Sequence, residues 1–153
     1  TFAGIGFGNA GVHLPHGMSY PVSGMVRDFK PADYKVTHPI VPHGMSVILN
    51  APAVFRFTAS ANPQKHLYAA KLLGVDISNA KEEDAGNILA DALIAIMKQT
   101  GMPNGLAAVG FSEADAEKLA EGTLPQHRVT KLSPRPASKD DLMTLFRNAM
   151  RYW

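Results

Sequence analysis

Between Asn79 and Thr100 the apolar side chains Ala85, Ile88, Leu89, Ala92, Leu93 and Ile96 recur at helical spacing. Nowhere does the sequence sustain the apolar–polar alternation that a half-buried strand needs. One apolar stripe without a strand pattern points to an all-α fold, a bundle of roughly five or six helices. In the same segment Glu82, Glu83 and Asp84 stand in the first turns and Lys98 in the last, complementing the helix dipole, and Gly101 closes the run.

Capping residues mark the other helices. Asn62-Pro63 is an N-cap followed by proline at the first helical position; His66, Leu67, Ala70 and Leu73 follow, and Gly74 ends the helix. Ser112 caps a short helix over 113–121. Ser138 with an acidic Asp141 three positions on starts the last helix, whose apolar face is Leu142, Leu145, Phe146, Ala149 and Met150. Residues 43–60 are apolar on nearly every face and predict a buried helix bent at Pro52. Residues 1–24 carry six glycines and predict a helix kinked near Leu14-Pro15. The segments 25–42 and 123–137 hold three prolines each and, like 102–110, read as loops.

The residue inventory narrows the chemistry. Without cysteine there is no disulfide scaffold, thiolate metal site or thiol nucleophile. Fifteen Lys and Arg against 13 Asp and Glu leave a net charge of +2, too small to suggest a nucleic-acid partner. No apolar run approaches the roughly 20 residues of a membrane span, so no membrane role is expected. At 153 residues and 46% hydrophobic, the chain reads as one globular domain; the start at Thr1 reads as a cut within a longer protein.

Two patterns invite a cofactor reading. Gly6-Phe7-Gly8-Asn9-Ala10-Gly11 has the glycine spacing of a dinucleotide loop, but no strand precedes it, and Asp28 lies in a proline-rich loop. It is read instead as small-residue packing of a buried helix. The second pattern is four histidines, His13, His16, His38 and His43, two of them in Pro15-His16-Gly17 and Pro42-His43-Gly44. Neutral imidazole is a good ligand for zinc or ferrous iron. Two imidazoles do not complete a catalytic site, which takes three protein ligands, and histidines satisfied by local hydrogen bonds are the competing reading. His66 and His127 are read as surface residues.

The segments AGIGFGNAGVHLPHGMSYPVSG, VPHGMSVILNAPAVFRFTA and GLAAVGFSEADAEKLAEGTLPQHRVTKLSPRPASKDDL resemble the iron-containing (group III) alcohol dehydrogenases over essentially all 153 residues. Within that family the likeness is to the hydroxyacid–oxoacid transhydrogenase branch. The resemblance implies a dehydroquinate synthase-like helical C-terminal domain over residues 1–153, with an NAD-binding domain and the first two metal ligands, an Asp and a His, upstream. It implies that His16 and His43 are the third and fourth ligands of Fe²⁺ or Zn²⁺. Tyr20 stands where many members carry a proton-transferring histidine, so it is the candidate catalytic residue.

The resemblance further implies NAD(H) as cofactor and hydride transfer between a small hydroxy acid or alcohol and an oxo acid or aldehyde, such as 4-hydroxybutyrate and 2-oxoglutarate. It also implies a homo-oligomer, placed in the cytoplasm of a bacterium or the mitochondrion of a eukaryote. The substrate carboxylate needs a cationic partner, for which Arg27, Lys30 and Lys35 of the 25–42 loop are candidates; the competing reading is a solvated charged loop. The chain alone is expected to be inactive and to hold metal weakly, and residues 1–24 are expected to be poorly covered. Two alternatives are an ordinary NAD-dependent alcohol dehydrogenase and a non-catalytic helical interaction domain.

Overall fold

Prolines and glycines cut the chain into more helices than the apolar periodicity suggests. The computed structural model describes residues 1–153 and contains helices, turns and coil but no strand. Nine α-helices follow in order: α1 (Phe2–Ala10), α2 (Leu14–Gly24), α3 (His43–Ile48), α4 (Ala51–Thr58), α5 (Pro63–Leu72), α6 (Ala85–Gln99), α7 (Ala116–Thr123), α8 (His127–Thr130) and α9 (Lys139–Asn148). Single 3₁₀ turns at Ala59–Ala61, Glu82–Asp84, Leu106–Val109 and Glu113–Asp115 lead into or join them. No helix is long and apolar enough to cross a membrane.

The extra helices have local causes. The expected 43–60 helix is two, with Pro52, which has no N–H to donate, in the first turn of α4, whereas α2 runs on through Pro21. The expected 1–24 helix breaks at residues 11–13, and Pro15 falls in the first turn of α2. Residues 127–130, read as loop, form one short helical stretch. Asn62 caps α5 by accepting from the Lys65 N–H at 3.1 Å. The Ser138 hydroxyl accepts from the Asp141 N–H at 3.1 Å while the Asp141 carboxylate accepts from the Ser138 N–H at 2.9 Å, so α9 starts where its sequence says.

The main core is built from Leu14, Met18 and Val22 of α2, Val54 of α4, Met97 of α6, Leu119 of α7, and Leu142 and Phe146 of α9, with Leu49 beneath. Helix α6 packs on α4 and α5, α7 on α9, and α2 on α3 and α7. The buried face of α6 is Ala85, Gly86, Leu89, Ala90, Ile94 and Met97, rotated from the predicted stripe, so that Ile96 is exposed. Small residues cause the rotation: Gly86 lies against the Arg56 backbone of α4. Helix α1 buries nothing and leaves Phe2, Ile5 and Phe7 exposed, whereas α2 is a core helix. Poor coverage therefore applies to the first half of residues 1–24 only, and the Gly6–Gly11 pattern belongs to an exposed helix, not a buried one.

Two contacts fix the ground around α3. The Tyr152 hydroxyl donates to the Leu49 carbonyl at 2.8 Å and accepts from the Ala53 N–H at 3.4 Å, pinning the C-terminus at the α3–α4 junction. Burial raises that phenol above its ordinary value. Asn104 holds the same terminus, accepting from the N–H groups of Tyr152 (2.8 Å) and Trp153 (3.1 Å).

Candidate metal and substrate site

Helices α2 and α3 begin alike. In each a proline stands before a histidine, a glycine follows, and a serine comes three positions after the histidine. The Ser19 hydroxyl donates to the His16 carbonyl at 2.7 Å, and the Ser46 hydroxyl donates to the His43 carbonyl at 2.8 Å. Both serines are fully buried. The Ser23 hydroxyl crosses between the helices, donating to the Ser46 hydroxyl at 3.0 Å and within 3.3 Å of the Val41 carbonyl. The backbones carrying the two histidines are thereby fixed relative to each other.

The result is that the two rings stand next to each other. The rings of His16 and His43 lie with centroids 5.3 Å apart, edge to face. Burial, and after it the neighbouring His43, push the His16 imidazole below the ordinary histidine value, toward the neutral form that offers a lone pair. His13 is pushed the same way by burial, then by His66 and His16; its Nδ1 is buried without a partner and its ring meets Phe55 edge-on. His38 stays in the exposed loop.

His66, expected at the surface, is buried. Its Nε2 lies 2.9 Å from the Thr58 hydroxyl and its Nδ1 2.8 Å from the Asn62 carbonyl, so local partners satisfy both nitrogens. His127 is exposed, as expected.

The two neighbouring imidazoles line a cavity of about 460 Å³ together with Phe7, Gly11, Val12, Tyr20, Arg128, Val129 and Leu132. That size suits a small organic substrate, and the wall mixes apolar residues with a few polar groups. Tyr20 is partly exposed, and its hydroxyl accepts from Arg128 Nη2 at 3.4 Å. No group of three or more His, Cys, Asp or Glu side chains comes close enough to share an ion. Imidazole is a donor type that suits Fe²⁺ or Zn²⁺.

The three loop cations lie elsewhere. Arg27 follows the C-terminal end of α2, whereas His16 is in its first turn. Its guanidinium pairs with Asp115, donates to the Gly110 carbonyl at 3.1 Å and lies 5.9 Å from the Phe111 ring. Lys30 donates to the Thr37 carbonyl at 2.9 Å, and Lys35 is exposed; none of the three lines the cavity.

Sequence reasoning missed Arg128. It lies in an aperiodic segment and reaches the cavity only because α8 packs on α2. A Cβ on Gly17 would stand 2.9 Å from the Thr130 methyl and 3.4 Å from a Val129 methyl, so only glycine at 17 lets the segment sit this close to His16. The signal in the sequence is a charge gap: no acidic residue occurs between Glu121 and Asp140, a stretch holding Arg128, Lys131, Arg135 and Lys139.

Comparison with known proteins gives the site its context. The family model for the Fe-containing alcohol dehydrogenase family, C-terminal, matches residues 1–150. Hydroxyacid-oxoacid transhydrogenase, mitochondrial, of Pongo abelii is 57% identical over 153 residues, 100% of this chain and 33% of that protein. The Homo sapiens protein of that name is 56% identical over the same shares. The probable hydroxyacid-oxoacid transhydrogenase, mitochondrial, of Dictyostelium discoideum is 55% identical over 151 residues, 98% of this chain and 28% of its own. The chain spans about a third of the length of these curated relatives. Among solved structures, 1,3-propanediol oxidoreductase has a TM-score of 0.81 and 26% identity, covering 96% of this chain and 35% of its own. Alcohol dehydrogenase from Oenococcus oeni, with a TM-score of 0.82 and 22% identity over the same shares, is similar in fold.

Proposed function

This chain belongs to the Fe-containing alcohol dehydrogenase family, and on that premise we propose that it is the helical half of a metal- and NAD-dependent oxidoreductase that passes a hydride between a hydroxy acid and an oxo acid. The observation that carries the reading is that His16 and His43, with ring centroids 5.3 Å apart, line one cavity. The names of the relatives at 55–57% identity support the substrate class. In this reading residues 1–153 are the metal-binding domain, and an upstream NAD-binding domain supplies an Asp and a His as the other ligands. The exposed apolar side chains of α1 face that domain.

When bound, a divalent ion supplies Lewis acidity toward an alcohol or carbonyl oxygen and the nicotinamide supplies the hydride acceptor. This chain's own residues do the rest. His16 and His43 hold two corners of the ligand set, their orientation fixed by Ser19, Ser46 and Ser23. Val12, Val129 and Leu132 keep the reacting carbon in apolar surroundings. The Tyr20 hydroxyl, on the cavity wall and partly exposed, accepts the substrate's hydroxyl proton at its phenolic oxygen as it passes its own to solvent, and the reductive direction reverses this relay. In this reading one resident NAD(H) would serve both half-reactions, the enzyme works as a homo-oligomer, and in a eukaryotic cell it resides in the mitochondrion, as its relatives' names say of them.

The test is turnover of a hydroxy acid such as 4-hydroxybutyrate with an oxo acid such as 2-oxoglutarate by the intact enzyme, without added NAD. Coupled turnover is expected, and His16→Ala or His43→Ala should abolish it together with the bound metal. Oxidation that needs a continuous supply of free NAD would instead make the protein an ordinary alcohol dehydrogenase, and turnover surviving loss of both imidazoles would end the metal reading.

A further inference from the structure

We propose that Arg128 is the carboxylate receptor of this cavity, holding the acid group of the hydroxy or oxo acid while the reacting carbon sits at the His16–His43 pair. The inference rests on the substrate class proposed above and names the residue that recognises it.

Four observations carry it. First, Arg128 is the one formally charged side chain on the cavity wall; the other residues are Phe7, Gly11, Val12, Val129 and Leu132 with His16, Tyr20 and His43. Second, its guanidinium forms no salt bridge, whereas Arg27, Arg56 and Lys139 are each paired with an acid. Its protein contact is the Tyr20 hydroxyl at 3.4 Å, and five N–H donors in a planar fork leave ample capacity for a carboxylate. Third, the sequence around it lacks acids from Gly122 to Ser138, so no neighbouring carboxylate on its own segment competes for the guanidinium. Fourth, its position is built in. Val129 is buried, and Val129 and Thr130 press on Gly17, directly after His16, so the guanidinium and the imidazole pair share one rigid frame.

A fork of parallel N–H donors binds a carboxylate in two-point fashion, which fixes direction as well as affinity. The acid group at the Arg128 end of the cavity and the reacting oxygen at the His16–His43 end would set the orientation of a short chain between them. A primary alcohol without a carboxylate has only the second anchor. The selectivity for acids over alcohols therefore resides at Arg128, and Tyr20, whose hydroxyl touches the same guanidinium, keeps it aimed inward.

The experiment compares kcat/KM for 4-hydroxybutyrate with kcat/KM for a neutral primary alcohol of similar length in the intact, metal-loaded enzyme, alongside inhibition by glutarate. In Arg128→Gln the acid-to-alcohol ratio should fall about tenfold to a hundredfold, mainly through a raised KM for the acid, and glutarate inhibition should weaken in parallel. Arg128→Lys, which keeps the charge without the fork, should restore part of the ratio. If the unsubstituted enzyme prefers hydroxy acids and Arg128→Gln leaves both the ratio and glutarate inhibition unchanged, the assignment of Arg128 is overturned while the proposed function stands. If the unsubstituted enzyme shows no preference for acids, both are overturned.

Discussion

The Ser23 hydroxyl donates to the Ser46 hydroxyl at 3.0 Å, joining the helix that carries His16 to the helix that carries His43. Ser46 is fully buried, and its own hydroxyl donates a hydrogen bond to the His43 carbonyl at 2.8 Å. Ser46→Ala therefore removes two hydrogen bonds and leaves the Ser23 hydroxyl without this partner. The expected cost is about 1–3 kcal/mol of stability. Metal affinity of the intact enzyme should fall by about 10–100-fold, the usual effect of losing a residue that orients a ligand. Thermal unfolding and metal content measured together check this. A variant with native stability and full metal content would show that the serine bridge positions nothing.

Gly105 is the second point where the backbone leaves no choice. Its φ is +70°, and the following Leu106 and Ala107 N–H groups reach the Ala149 and Met150 carbonyls at 2.9 and 3.0 Å, tying the 3₁₀ turn to the end of α9. A Cβ there would stand 2.6 Å from the Ala149 carbonyl oxygen and collide with that of Met150. Gly105→Ala combines positive-φ strain with a backbone clash and should destabilise by at least about 2 kcal/mol. Denaturant unfolding would register this as a lower midpoint, and an unshifted midpoint would contradict the placement of the turn.

Arg27 and Asp115 give the fold a pH-dependent component. The Arg27 hydrogen bond, more than any other cause, holds the Asp115 carboxyl below the usual carboxylate range, and the same pair raises the arginine. A depressed carboxyl contributes its full stabilisation above the unfolded value of about 3.9. The contribution fades as pH falls below that value toward the folded one, because the unfolded chain takes up the proton first. Asp115→Asn should therefore lower the melting temperature near neutral pH more than at pH 3, flattening the acid limb of the stability curve. Identical acid limbs in the two proteins would mean that the pair adds nothing.

What the sequence conveyed, and what it hid, follows from the range of the interactions involved. Helix starts are local: Asn62-Pro63, Ser112 and Ser138 with Asp141 stand at helix or 3₁₀ starts in the structure because each cap involves residues only three apart. The absence of a period-two pattern likewise gave the all-α class. The histidine pair was visible as a repeated Pro-His-Gly, although the repeat extends to Met and Ser and the serines supply the bridge. Arg27 looked available because its partner Asp115 is distant in sequence and joined to it only by packing α2 on α7. Arg128 looked ordinary because its neighbour Tyr20 is equally distant, and the contact depends on the missing side chain of Gly17. His66 looked like a surface residue because its partner Thr58 lies on the preceding helix.

Two neighbouring imidazoles without a carboxylate define how the 153-residue chain should meet a metal. His16 and His43 supply two donors, and no other His, Cys, Asp or Glu joins them to make a group of three. A divalent ion held by two ligands keeps water in its other positions, so its affinity falls far short of a closed site's. Isothermal titration of this chain with Zn²⁺ should therefore show weak binding, on the order of 10 μM or weaker in dissociation constant, since only two of the usual three or four protein contacts are present. The binding should disappear in His16→Ala and in His43→Ala alike, because one imidazole left alone is no better than a surface histidine. Sub-micromolar binding would mean that further ligands lie within residues 1–153, and binding that survives either substitution would place the ion somewhere other than between these two rings.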